Sequence, residues 1–336
     1  MLSLLLSRLA TAIPSIIGVV IVTFMLTHLL PGDPAAYFAG LAASPQAIAE
    51  VRAKLGLDKS LPEQFIVYVH DLFTGNLGNS LSTGQSVVHE IATRLPASAE
   101  LTLTALILAV AIAIPLGVLA AVKQGTWIDH LCRVVTTAGV SLPVFFTGLL
   151  LAYIFYYLLQ VAPAPTGRLD AFLSPPTDIT GFYVIDSILT GNLETLWGSL
   201  RQLALPAISM AIFSLAPLAR MTRGSMLAIL GSDFIRTARA SGLAPRTVIF
   251  SYAFRNAVLP VITTLGMVFS FLLGANVLIE TVFAWPGIGL YAVNALLTSD
   301  YAPVQGFVLI MAVLYIALNL TIDFVYGLVD PRVRLD

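Results

Sequence analysis

The segment from Gly231 to Pro260 gathers the residues best suited to engaging another molecule. Between Gly231 and Arg255 it carries Arg236, Arg239, Arg246 and Arg255 against a single acid, Asp233. A guanidinium stays charged and presents several donors in a fixed fork. Such a run serves either as a docking knob for a partner or as a solvated loop whose charge fixes orientation in a membrane. Elsewhere, chemistry-bearing residues are sparse. The lysines are Lys54, Lys59 and Lys123; none follows a glycine, and only Lys59 precedes a Ser or Thr. The chain therefore has no G-x-x-x-x-G-K-[ST] phosphate cradle, and any ATP-driven work needs ATP bound by another chain. Cys132 is the only cysteine, so no intrachain disulfide and no Cys-rich metal site is expected. His28, His70, His89 and His130 are scattered, and no metal centre is expected from them.

The elements holding these residues follow from composition. Of 336 residues, 58% are apolar and 10% charged, against about 45–50% and about 25% in ordinary soluble domains. A soluble globule and a disordered chain are both excluded; an integral membrane protein remains. A net charge of −1 excludes a broad nucleic-acid footprint. Crossing the hydrocarbon core takes about 20 apolar residues. Stretches near residues 9–30, 101–122, 134–161, 203–229, 257–282 and 304–328 qualify, which predicts an all-α polytopic protein with six transmembrane helices. The first stretch is too long for a secretory h-region of about 7–15 residues. It reads as an uncleaved helix despite the small residues Ala39-Gly40-Leu41-Ala42 that follow.

Orientation follows the Lys/Arg bias. With the N-terminus inside, the cytoplasmic pieces hold Arg8, Lys123, Arg133, Arg220, Arg223, Arg236, Arg239, Arg246, Arg255, Arg332 and Arg334. The outer pieces hold fewer, and both termini come out cytoplasmic. Outer segments 31–100 and 162–200 are expected to fold against the outer mouth. In the first, Ser44 should start a short helix with Pro45 in its first turn.

Local backbone chemistry shapes the basic loop, residues 231–255. Ser232 or Asp233 can cap a short helix. Gly242 can end it in the left-handed conformation, and Pro245 suits the first turn of the next. Within the last two apolar stretches, Asn276, Glu280, Asn319 and Asp323 are the polar residues of note. Glu280 is expected to bond near the Trp285-Pro286-Gly287 turn, and Asp323 to lie near the inner interface. Gly266 and Gly274 permit close helix approach. Tyr153, Phe155, Tyr156 and Tyr157 read as an interfacial aromatic belt.

Several stretches together resemble the inner-membrane permease subunits of bacterial dipeptide/oligopeptide ABC importers. They are Leu29-Leu30-Pro31-Gly32-Asp33-Pro34-Ala35, Arg236-Thr237-Ala238-Arg239-Ala240-Ser241-Gly242-Leu243, Arg255-Asn256-Ala257-Val258-Leu259-Pro260-Val261-Ile262-Thr263, Glu280-Thr281-Val282-Phe283-Ala284-Trp285-Pro286-Gly287-Ile288-Gly289 and Asp330-Pro331-Arg332-Val333-Arg334. The resemblance covers nearly the whole chain as one permease domain, 1–336. It implies a type I importer permease with no ATPase site of its own and no bound cofactor, ATP being used by partner subunits. The implied partners are a second, similar permease chain, two cytoplasmic ATPases and an external solute-binding protein. It also implies that Arg236, Thr237, Ala238, Arg239, Gly242 and Leu243 form the ATPase-coupling loop. The wider importer pattern, Glu-Ala-Ala, three residues, Gly, nine residues, Ile-x-Leu-Pro, is met only at Ala238 and Gly242. A carboxylate contact is therefore not carried over, and an arginine meeting acids on the ATPase takes its place. The implied substrate is a dipeptide or short peptide. Glutathione or nickel complexes, moved by similar permeases, and a secondary transporter driven by an ion gradient are the competing readings. The last needs paired intramembrane carboxylates and internal repeats, and no convincing repeat is seen.

Overall fold

In a computed structural model, residues 13–25, 33–39, 43–54 and 56–329 are described. Their regular elements are helices, with a single isolated β-bridge between Asn79 and Ser86 among the described residues. The stretches 29–32 and 330–334 quoted above lie outside them. The chain divides into two compact units, Met1–Ser98 with Pro286–Ala317 and Ala99–Trp285 with Leu318–Asp336.

In the first unit, α1 (Ile13–Met25) packs Phe24 edge-on against Phe65 of α4 (Leu61–Phe73), centroids 5.1 Å apart. Thr23 and Tyr68 share a hydroxyl hydrogen bond of 3.1 Å. Between these helices lie α2 (Pro34–Ala39) and α3 (Pro45–Lys54), linked by an Asp33–Arg52 ion pair. As the sequence predicts, Pro45 opens α3, and Ser44 Oγ accepts from the Ala47 amide at 3.2 Å. α4 starts with a reciprocal cap: the Ser60 amide and hydroxyl both donate to Glu63, at 3.0 and 2.9 Å. The first turns of α5 (Val87–Val122) pack Val87 and Ile91 against Ile288 and Tyr291 of α13 (Ile288–Leu297). The loop before α5 is held by Asp300, which accepts from Ser80 Oγ at 2.7 Å and from the Ser82 amide and hydroxyl at 3.0 and 2.7 Å. Asp300 immediately precedes α14 (Tyr301–Val329).

The second unit is built around α9 (Leu193–Leu230), 38 residues with Pro206 and Pro217 inside it. It packs on α6 (Trp127–Ala138), α7 (Val144–Leu151), α8 (Tyr183–Leu189) and α12 (Arg255–Val282). Leu203, Ala207, Met210, Leu218 and Ala219 form its buried face. Phe213 stacks on Phe271 of α12 with centroids 4.5 Å apart. At Gly266 a Cβ would meet Ile322 Cδ1 at 2.2 Å, so any side chain there would have to push the end of Ile322 aside; at Gly274 nothing lies within 4 Å. The expected close approach therefore holds at one glycine and not at the other.

Among the described residues, four helices are long and apolar enough to cross a membrane: Val87–Val122, Leu193–Leu230, Pro245–Val282 and Tyr301–Ile322. Ile13–Met25, Val144–Leu158 and Ile288–Leu297 are shorter apolar helices. The stretch 134–161, expected as one continuous span, is broken. α6 ends at Ala138, residues 139–143 are non-helical, and α7 continues through a π-helical segment, Ala152–Leu158. Pro143 accounts for the restart, since it lacks an amide and pushes the residue before it out of the α region. Tyr153 and Tyr157 stack at 5.5 Å on that π segment, and both are exposed, as lipid-interface aromatics are.

The segment 162–200 is held by two carboxylates. Asp186 accepts from the Thr180 hydroxyl at 2.6 Å and from the amides of Ile179, Thr180 and Gly181 at 3.3, 2.9 and 3.0 Å. Burial pushes its pKa up, but these donors outweigh it and hold the carboxyl below its ordinary value. Glu100 accepts from Arg168 Nη2 at 2.6 Å and from the Val184 amide at 2.8 Å. Arg168 also donates to the Gly181 carbonyl at 2.8 Å and lies 3.6 Å over the Tyr183 ring.

Candidate functional site

The basic loop folds as its backbone chemistry predicts. α10 (Asp233–Ala240) follows Ser232, whose hydroxyl turns back to the Ile229 carbonyl instead of capping the helix. Its last turn closes through two reverse bonds, Gly242 amide to Arg239 carbonyl at 3.0 Å and Leu243 amide to Ala238 carbonyl at 3.3 Å. That pair is a Schellman closure, which requires the left-handed conformation at the residue after the cap. Gly242 has φ +76° and nothing within 4 Å of where a Cβ would stand. Pro245 then opens α11 (Pro245–Thr247), which runs through a π-helical segment, Val248–Phe254, into α12. π segments in otherwise α-helical runs are frequent at functional sites.

α10 has two distinct faces. Ile235 and Ala238, three apart, are buried among Val118 and Ala121 of α5, Met226 of α9, Val248 and Ala253 of the π segment and Ala257 of α12. This cluster joins the short helix to one end of each of three long ones, α5, α9 and α12. The opposite face exposes Phe234, Arg236, Thr237 and Arg239, and Leu243 beyond the turn is exposed too. Arg236 pairs with Asp233 at 3.2 Å, but both are fully in solvent, so the pair contributes little and leaves the guanidinium available. Beside it, Arg239, Leu243, Pro245, Ile249, Val122 and Leu230 line an open groove of about 650 Å³.

Of the six loop residues singled out from sequence, Arg236, Thr237, Arg239 and Leu243 are thus together on or beside the exposed face. Ala238 is buried and anchors the helix; Gly242 shapes the backbone. Sequence reading missed Asp129. It is buried on α6, and Arg223 of α9 grips it with Nε to Oδ1 and Nη2 to Oδ2, both 2.8 Å. The Gly125 amide donates to it at 3.1 Å, and Arg133 lies 3.5 Å away. Arg223 holds the carboxyl down at about 2 against the effect of burial. The available signal was an acid flanked by Lys123 and Arg133 between two apolar stretches.

Glu280 is buried in α12; Asn276, one turn earlier, donates to it at 2.7 Å, and its own carbonyl accepts from the Trp285 amide at 2.8 Å. The Glu280 main chain is thus tied to the Trp285 turn. Asn319 is exposed on α14; the side chain of Asp323 lies outside the described residues.

Known proteins similar to this chain agree in kind. Residues 113–335 match the family described as binding-protein-dependent transport system inner membrane component, and residues 1–102 match the N-terminal family of the same membrane components. The chain is 45% identical over 94% of its length to the probable D,D-dipeptide transport system permease protein DdpB of Escherichia coli, covering 93% of that protein. It is 41% identical over 99% of its length to the dipeptide transport system permease protein DppB of Alkalihalophilus pseudofirmus, covering 100% of it. It is 43% identical over 99% of its length to the di/tripeptide transport system permease protein DppB of Pseudomonas aeruginosa, covering 99% of it.

Proposed function

The chain belongs to the inner-membrane components of binding-protein-dependent transport systems, and from that premise we propose that it is the permease subunit of an ATP-driven importer of dipeptides or short peptides. It pairs with a second, similar permease chain, so that the path runs between the two. An external binding protein delivers the peptide, and two cytoplasmic ATPases dock on the inner face. Both termini are cytoplasmic, and six spans cross the membrane. This chain binds no nucleotide or cofactor of its own.

The observation that carries the reading is the two-faced α10. One face is locked into the inner ends of α5, α9 and α12 through Ile235 and Ala238. The other offers Phe234, Arg236, Arg239 and Leu243 to a partner. A push on the exposed face is delivered to three long helices at once. ATP-driven closure of the docked subunits and arrival of the loaded binding protein would then bias one two-state arrangement of the spans. Relatives named as dipeptide and di/tripeptide permeases support the substrate class.

The test is ATPase activity of the reconstituted complex with loaded binding protein and peptides of defined length. Stimulation by dipeptides, and none by an ion gradient alone, is expected. Transport that persists without the ATPase subunits would overturn the reading in favour of a secondary transporter. Micromolar nucleotide binding by the isolated chain would also count against it.

A further inference from the structure

The break between α6 and α7 lies deep in the bilayer. α6 runs alongside α9: Asp129 meets Arg223, and at the other end a Cβ on Gly139 would come within 2.7 Å of the Ile212 carbonyl. Those two contacts are about three turns of α9 apart, ~16 Å at 1.5 Å per residue. Ile212 lies inside the apolar stretch 203–229 of the 38-residue α9, nine residues (~14 Å at 1.5 Å per residue) from Leu203. Gly139–Pro143 therefore lies within the apolar depth of the helix and not at its end.

This irregular backbone carries polar groups that the fold does not satisfy. Among the described residues, the amides of Leu142, Val144, Phe145 and Phe146 donate to no other backbone or side-chain group, and the carbonyls of Gly139 to Leu142 accept from none. Ser141, Leu142 and Pro143 are exposed. Non-helical backbone at membrane depth is tolerated where it is buried in protein or borders water, never against lipid. Within this unit it is not buried, so it must border either a water-filled space or another chain. A peptide crossing the membrane brings its own amides, carbonyls and terminal charges, and needs a wet, polar wall at the same depth.

We infer that the Ser141–Pro143 break lines the water-filled translocation path and is the polar wall past which the substrate moves. The inference rests on the permease reading above. It adds specific residues to the path: the free backbone groups of this break and the Ser141 hydroxyl, which donates to the Thr137 carbonyl at 3.2 Å and keeps its oxygen able to accept.

The test uses the assembled transporter in vesicles with Cys132→Ser as background. Ser141→Cys and, separately, Leu142→Cys are treated with a small cationic methanethiosulfonate reagent, in the resting state and in the ATP-trapped state. Labelling is read by mass, so it needs no assumption about the substrate. At least tenfold faster labelling than of the wild-type chain, whose only thiol is the buried Cys132, is expected in one of the two states. Loss of transport on modification is also expected. Labelling of both variants by lipid-soluble maleimide but not by the cationic reagent, in both states, would overturn the inference. So would protection of both by the sister chain throughout the cycle. If labelling occurs but dipeptides neither slow it nor stimulate the ATPase, the path assignment stands and the dipeptide reading falls.

Discussion

Asp129 and Arg223, 94 positions apart in the chain, meet through two parallel hydrogen bonds of 2.8 Å within the second unit. The pair fixes the start of α6 to the last turns of α9, immediately before the basic loop.

Removing the charge tests what that pair does. Asp129→Asn leaves Arg223 without its carboxylate and should cost on the order of 1–3 kcal/mol, the range for hydrogen bonds to charged groups. A lower midpoint in thermal unfolding of the detergent-solubilised complex checks it. The carboxyl is held at about 2, below its ordinary 3.8. A depressed acid stabilises fully above its unfolded value, and that contribution is lost as pH falls through the folded one. The wild type should therefore lose this share of stability between about pH 4 and pH 2, and Asp129→Asn should flatten that part of the profile.

Gly242→Val should uncouple without unfolding. The site has room for a side chain but demands φ +76°, so the penalty is backbone strain of about 1–3 kcal/mol. It falls on the loop alone. Membrane insertion and pairing with the sister permease should stay near wild type, while ATPase docking and its stimulation by loaded binding protein drop sharply. Gly242→Asn, which tolerates the left-handed region better, should recover part of the loss. Transport at the wild-type rate in the valine variant would sink the docking role.

Reversing charge at Arg236 and Arg239 attacks the same step by another route. Both side chains are exposed, so folding should be unchanged. Docking should weaken, and the difference from wild type should shrink as salt rises, because exposed charge pairs are screened over about 8–10 Å. Co-purification of the ATPase across a salt series gives the answer.

Topology is checked by single cysteines at Ser44, Thr177 and Ser232 in the Cys132→Ser background. An impermeant thiol reagent on spheroplasts should label the first two and spare the third. Labelling at 232 from outside would invert the orientation.

How much of this was legible in sequence depended on the range of the interaction. The Arg236–Leu243 turn was readable because Gly242 and Pro245 act on their own backbone. Ser44 and Pro45 marked α3 for the same reason. Residues 134–161 misled because apolar content reports the solvent a segment prefers and not whether its backbone stays helical; Pro143 was the one available signal. The Asp129–Arg223 grip and the inward turn of Ala238 depend on tertiary packing, which no local spacing encodes. Gly266 and Gly274 look alike in sequence, and only the approach of Ile322 tells them apart.

α9 is about 57 Å long at 1.5 Å per residue, nearly twice the roughly 30 Å hydrocarbon thickness. Its midpoint rests against Gly139. Pro206 and Pro217 stand on either side of that contact, and an internal proline removes a helix hydrogen bond and is a common site of bending. The half of α9 that Arg223 and Met226 tie to α6 and α10 is thus separated from the half that packs near α8 by two weakened turns, with the tight Gly139 contact between them.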